Sequence, residues 1–314
     1  MSSPLLEARA ATAVSGVLAA LPRRAALALG RGLGALWGDL DRRHVAIAAD
    51  HLRRAFPDWD ESRVMTTARG VYRHFGQVLF DVLWLQGRPR ETVLSCVEIV
   101  GREHVEAAIA PGRGVVYVTC HLSNFEVLAL AHSWVFGPVG MVVRALDNPA
   151  LDARIAAFRC QGGNTLIYKQ HALAHALRRL RDGGGVALLM DQNVPAGDGI
   201  FVPFFGRPAA TTTVAAALAV KTGAALVPAH METLPDGRYR SVYEAALPTN
   251  LEPSRNRAEE VARLTGDLTT RIEGWVRANP EQWLWTHRRW KTQPAADGPH
   301  SSVLGIQHEA AGRG

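Results

Sequence analysis

The stretch from Val115 to Glu126, VVYVTCHLSNFE, joins a buried-type strand to a histidine, with a carboxylate five residues further on. In an open α/β sheet the chemistry lies beyond the carboxyl ends of the strands, so His121 stands where a reactive group would be placed. A neutral imidazole titrates in the range needed to take a proton from an alcohol as the alcohol attacks an activated acyl group. A carboxylate on the other ring nitrogen would fix the tautomer and stabilise the imidazolium. Glu126 is the nearest acid in sequence. On one straight helix the two residues would diverge by about 140°, so they can meet only if His121 lies outside the helix. A structural reading stands beside this one: Ser123-x-x-Glu126 forms a capping box, and His121 is a hydrogen-bonded strand-end histidine.

Two further polar residues come after short apolar runs in the same way: Arg144 after Val139–Val143, and Asp191 after Val186–Met190. Three strand-end groups facing one cleft would make a site. The loop after Asp191 leads to Phe201, Phe204 and Phe205, which suit either the wall of a lipid tunnel or ordinary core. Other nucleophile and metal patterns are missing. Cys120 adjoins His121 but should point to the opposite side of the strand, and there is no G-x-S-x-G elbow, phosphate loop or H-E-x-x-H. His171 and His175 share a helix face without a third ligand, so no metal and no cofactor is expected. An acyl thioester already carries an activated group and needs neither.

These residues require a scaffold. Residues 1–90 read as a helical segment, residues 91–292 as an α/β unit in which apolar strands alternate with helices, and residues 293–314 as a disordered tail. The expected fold class is α/β, a mainly parallel central sheet flanked by helices, with Arg238–Ala246 as an antiparallel edge strand. Residues 256–278 read as an amphipathic helix. In the N-terminal segment the uncharged run Ala10–Pro22 is too short to cross a bilayer, and Arg23, Arg24 and Arg31 break up the apolar residues after it. One or two amphipathic helices, packed on the domain or lying in a membrane interface, are expected there.

The 314 residues, 47% of them apolar, are enough for a continuous core. A net charge of +6 favours an anionic partner, whether nucleic acid, bilayer or acidic carrier protein. Three cysteines without metal-type spacing argue against a disulfide framework and fit a reducing compartment. Near the C-terminus Trp275, Trp283, Trp285 and Trp290 crowd with His287, Arg288, Arg289 and Lys291. The tryptophans read as packed against the sheet and the cations as facing a membrane or phosphate, although the same interleaving would also stack nucleic-acid bases.

The ordered blocks Cys120–Glu126, Arg144 with Asn148-Pro149, Met190–Pro195 through Phe201–Gly206, Leu226–Ala229 and Asn279–Thr292 resemble the late acyltransferases of lipid A biosynthesis. The related phosphatidylinositol mannoside acyltransferases, within the wider glycerolipid acyltransferase superfamily, share the pattern. The resemblance spans roughly residues 5–293. It implies an O-acyltransferase at the cytoplasmic face of a bacterial inner membrane, peripheral or monotopic. A fatty acyl group would move from an acyl carrier protein or coenzyme A thioester to a glycolipid hydroxyl. It further implies His121 as base with Glu126 as its charge partner, and Arg144, Asn148, Asp191, Asn124 and Phe205 as substrate-binding residues. Asp191 would bind the acceptor, position His121 or cap its loop. The alternatives are a thioester hydrolase, in which water replaces the alcohol, and a non-enzymatic protein binding nucleic acid or membrane through its basic surface.

Overall fold

A computed structural model describes residues 4–168, 172–249 and 256–294. The expected tail falls almost entirely outside these residues, as does His171. Four helices come first: α1 (Pro4–Ala19), α2 (Arg23–Leu40), α3 (Arg42–Ala55) and α4 (Glu61–Leu85). A short α5 (Arg90–Leu94) leads into β1 (Val97–Val100), α6 (Arg102–Ile109), β2 (Val115–Thr119), α7 (Phe125–Phe136), β3 (Val139–Val143), α8 (Pro149–Cys160) and β4 (Thr165–Tyr168). Then come α9 (Ala172–Arg181), β5 (Gly185–Leu189), the hairpin β6 (Ile200–Phe204) and β7 (Arg207–Thr211), α10 (Val214–Thr222), β8 (Ala225–Thr233), β9 (Tyr239–Tyr243) and α11 (Arg257–Ala278).

The main sheet has seven strands in the order β1-β9-β8-β2-β5-β3-β4, and every neighbouring pair is parallel except β8 and β9. The α/β class expected from the alternation is therefore the one observed. One detail differs. The segment expected as an antiparallel edge strand is β9, which lies inside the sheet, antiparallel to β8 on one side and parallel to β1 on the other. Tyr239, Ser241 and Tyr243 are buried, and that burial favours an interior position.

Period-two alternation along β2 separates the two cores. Val116 and Val118 join the layer formed with α3, α4, α9, α10 and α11, while Val115 and Tyr117 join the layer with α5, α6, α7 and α8. Helices α2 and α4 are held together by the absence of side chains. Gly30, Gly34 and Gly38 repeat every four residues along one face of α2. A Cβ on Gly34 would stand 2.3 Å from Tyr72 O, and one on Gly76 would stand 2.4 Å from Gly30 O. Small residues at helical spacing thus let the two backbones touch. The pair is tied to the sheet by Arg23, which forms a bidentate contact with fully buried Asp81 at 2.7 and 2.9 Å; Asp81 also accepts from Tyr239 Oη at 2.6 Å. Among the described residues, no helix is long and apolar enough to cross a membrane.

Candidate functional site

Adjacent β2 and β5 are in register, with Thr119 opposite Leu189, so His121 and Asp191, each two residues beyond a paired end, come level at the carboxyl edge of the sheet. His121 Nδ1 lies 2.8 Å from Asp191 Oδ1, and the His121 backbone N–H donates to Oδ2 at 2.9 Å. Trp283 Nε1 donates to the same Oδ2 at 2.7 Å. The Asp191 side chain is 2% exposed and that of His121 18%. Burial alone would push the Asp191 carboxyl up; the facing imidazole and the donated hydrogen bonds outweigh it and hold the pKa down at about 2. On His121, burial disfavours the charged ring and the Asp191 carboxylate favours it, with the net result that the pKa is raised. An ionised Asp191 makes Nδ1 the protonated nitrogen of the neutral ring, so Nε2 carries the lone pair.

The carboxylate on the ring is thus Asp191 and not Glu126. Glu126 is engaged in two hydrogen bonds by Arg159 of α8, Nε to Oε2 at 2.7 Å and a terminal guanidinium nitrogen to Oε1 at 2.5 Å. The capping box is also absent. Helix α7 begins at Phe125 with Asn124 as its cap, whose Oδ1 accepts from Val127 N at 3.2 Å. Ser123 sits before the cap in the left-handed region, φ 52°. This costly backbone position is held from two sides: Ser123 N donates to Gln282 O at 2.8 Å, and its hydroxyl lies 2.6 Å from that of Thr233. With Leu284 N donating to His121 O at 3.2 Å, residues 282–284 form a strap behind the histidine loop.

His121 opens into a cleft of about 490 Å³ lined by Phe125, Arg144, Arg159, Leu189, Gln192 and Thr212, among others. Phe125, Val142, Val143, Arg159, Leu188 and Leu189 also line the entrance of a narrower apolar slot, about 50 Å³, running between the sheet and α7 past Leu128, Met141 and His132. Burial lowers the His132 pKa to about 3, so that ring is neutral and belongs to an apolar wall.

The other residues expected at the site are dispersed. Arg144 is on the cleft rim, 76% exposed, with a surface contact to Asp147 at 2.9 Å; such a pair holds its members weakly. Asn148 caps α8, accepting from Ala150 N and Leu151 N. Asn124 is fully buried and donates to Tyr239 Oη at 3.0 Å. Phe205 does not line the cleft. It sits at the turn of the β6–β7 hairpin and packs edge-on against Phe56 and Phe204. Phe204 packs on Trp283 and Trp290, so Phe204 and Phe205, expected as walls of a lipid tunnel, are core instead, while Phe201 is half-buried and the loop before it is largely exposed. Cys120 is fully buried on the opposite face, and burial pushes its thiol well up, away from any nucleophilic role.

The tryptophans of the C-terminal block are buried as expected, but Arg289 is turned inward with them. It is 1% exposed and donates to Ala210 O at 2.7 Å and to Thr211 Oγ1 at 2.5 Å; burial lowers its pKa to about 10. Arg288 and Lys291 are exposed. Among the described residues no group of three or more histidine, cysteine or acidic side chains is placed to hold a metal ion.

The family model described as bacterial lipid A biosynthesis acyltransferase matches residues 8–292. The chain belongs to this family. It is 28% identical over 276 residues to a lipid A biosynthesis lauroyltransferase of Escherichia coli, covering 87% of this chain and 88% of that protein. A lipid A biosynthesis palmitoleoyltransferase of the same organism is 25% identical over 86% of each chain. A phosphatidylinositol mannoside acyltransferase of Mycobacterium tuberculosis is 28% identical over 196 residues, 61% of this chain and 59% of that protein. Membership makes the chain an O-acyltransferase.

Sequence reasoning missed Trp283 and Gln192. Trp283 is 92 residues from the carboxylate it serves. Gln192 adjoins Asp191 and extends into the cleft, with Nε2 at 3.3 Å from His121 Nε2. Its position beside a strand-end acid was the available signal.

Proposed function

We propose that this enzyme transfers a fatty acyl group from an acyl carrier protein or coenzyme A thioester to a hydroxyl of a membrane glycolipid of the lipid A type. The observation that carries this reading is His121, with Nδ1 on buried Asp191 and Nε2 toward a cleft that continues into an apolar slot. The acceptor hydroxyl gives its proton to His121 Nε2 as its oxygen bonds to the thioester carbon. The tetrahedral adduct then collapses, the C–S bond breaks, and the thiolate leaves with the proton returned from the imidazolium. The slot supports this reading as the place for the chain end, its side chains parting to admit it. Arg144 on the rim meets a phosphate of donor or acceptor. Incubating the protein with radiolabelled acyl thioester and a tetraacyl disaccharide lipid should give labelled acyl lipid; labelled free acid as the main product would make it a hydrolase.

Membrane association is part of the same reading. Leu29, Leu33, Leu36, Trp37 and Leu40 are 44–70% exposed and fall on one face of α2, beside exposed Leu79 of α4. A mostly apolar groove of about 530 Å³ opens next to them between α2 and α4. Exposed Arg42 and Arg43 follow at the C-terminal end of α2, at the start of α3. A tryptophan and leucines followed by two arginines suit an anionic bilayer interface. Leu36→Glu with Trp37→Glu should weaken sedimentation with phosphatidylglycerol vesicles by about tenfold or more, leaving turnover of detergent-dispersed substrate intact. Unchanged vesicle binding would remove this face from consideration.

A further inference from the structure

Among the described residues, one polar side chain is hydrogen-bonded to the reacting nitrogen. Gln192 Nε2 lies 3.3 Å from His121 Nε2, the atom that holds the lone pair because Asp191 keeps the proton on Nδ1. The amide is therefore the donor in this contact, occupying the direction from which a substrate hydroxyl must arrive. Gln192 is exposed to the cleft, while the backbone on either side of it is held by Met190 N donating to Thr119 O and Asn193 N donating to His287 Nε2, so the side chain can turn on an anchored backbone. Of the charged donors lining the same cleft, Arg159 is engaged by Glu126 and Arg144 stands out at the exposed rim.

We propose that Gln192 is a catalytic residue of the transfer, its side-chain amide donating to the oxyanion formed when the acceptor hydroxyl attacks the thioester. This rests on the acyl-transfer reading of the cleft. In the resting enzyme the amide caps His121 Nε2. The entering hydroxyl takes over that nitrogen and the amide is displaced by about the width of one oxygen atom, still beside the carbon under attack. As the C–O bond forms, the carbonyl π pair moves onto oxygen and the Gln192 N–H groups meet that charge. When the C–S bond breaks, the pair returns to the carbonyl and the amide recaps the ring. A neutral amide stabilises charge that exists only in the transition state, so its contribution belongs in kcat rather than in ground-state binding.

Steady-state kinetics of acyl transfer on the full chain test this. Gln192→Ala should lower kcat by about a hundredfold or more, with KM for donor and acceptor within about twofold and an unchanged melting temperature. Gln192→Glu keeps the size but presents acceptors only, so it should be equally slow and should shift the acid limb of the pH–rate profile upward through its charge beside His121. It also serves as the second variant if Gln192→Ala fails to fold. Wild-type or faster kcat in Gln192→Ala would overturn the proposal, leaving the amide a mere occupant of the space. A loss confined to KM would overturn it in favour of acceptor binding. His121→Ala, measured alongside, separates the two levels: if His121→Ala is dead and Gln192→Ala is fully active, only the role of Gln192 falls. Full activity in His121→Ala would remove the acyl-transfer reading of the cleft itself.

Discussion

Asp191→Asn should lower kcat by about 10⁴-fold while the chain stays folded. The amide is nearly the same size, so Trp283 and the His121 backbone N–H retain an acceptor oxygen. The imidazole, however, now faces an amide whose NH₂ can point at Nδ1. A donor there favours the tautomer with the proton on Nε2, which cannot take one from the acceptor. Glu126→Gln provides the contrast, because its carboxylate meets Arg159 and not the ring. It should leave a partly buried guanidinium underpaired, lower the melting temperature and raise KM through the displaced Arg159, with a smaller loss in kcat. If Glu126→Gln instead lost the larger share of kcat and Asp191→Asn kept near-wild-type turnover, the assignment of Asp191 as the orienting acid would be wrong.

His121→Ala should reduce transfer by about 10³-fold or more, and the pH dependence of the wild type identifies the group lost. The rate requires a neutral ring, so kcat/KM should rise with pH through the His121 pKa, which Asp191 holds above the ordinary 6.5. In Asp191→Asn the charge is gone and burial remains, so the residual activity should show its acid limb at lower pH. An unmoved limb would mean that another group controls it. Stability depends on the same two shifts. The depressed Asp191 pKa stabilises the fold above the ordinary 3.8, and this contribution is lost as pH falls through that value toward 2. The raised His121 pKa stabilises the fold below 6.5, and its contribution is lost as pH rises through the raised value. A melting temperature measured against pH should therefore decline on the acid side in the wild type and less so in Asp191→Asn.

Patterns local in the chain were legible in advance. Alternating short apolar runs and helices determined a mainly parallel sheet, because strands covered on both faces must be apolar throughout and joined by crossovers. A strand entering His121, Arg144 and Asp191 at two other strand ends, and tryptophans too apolar to leave in water could all be read from residue order. What residue order left open was partnership. Glu126 was the nearest acid to His121 by number, but Asn124 starts the helix and carries Glu126 round to Arg159. Asp191, 70 residues away, reaches the ring because β5 pairs with β2 in a register that brings their ends level. Strand order also placed β9 inside the sheet, and hairpin packing drew Phe205 and Arg289 into the core. Spacing along a chain limits which neighbours can meet within one element, whereas contacts between elements depend on sheet order and register, and these are set by the burial of all the strands and helices together.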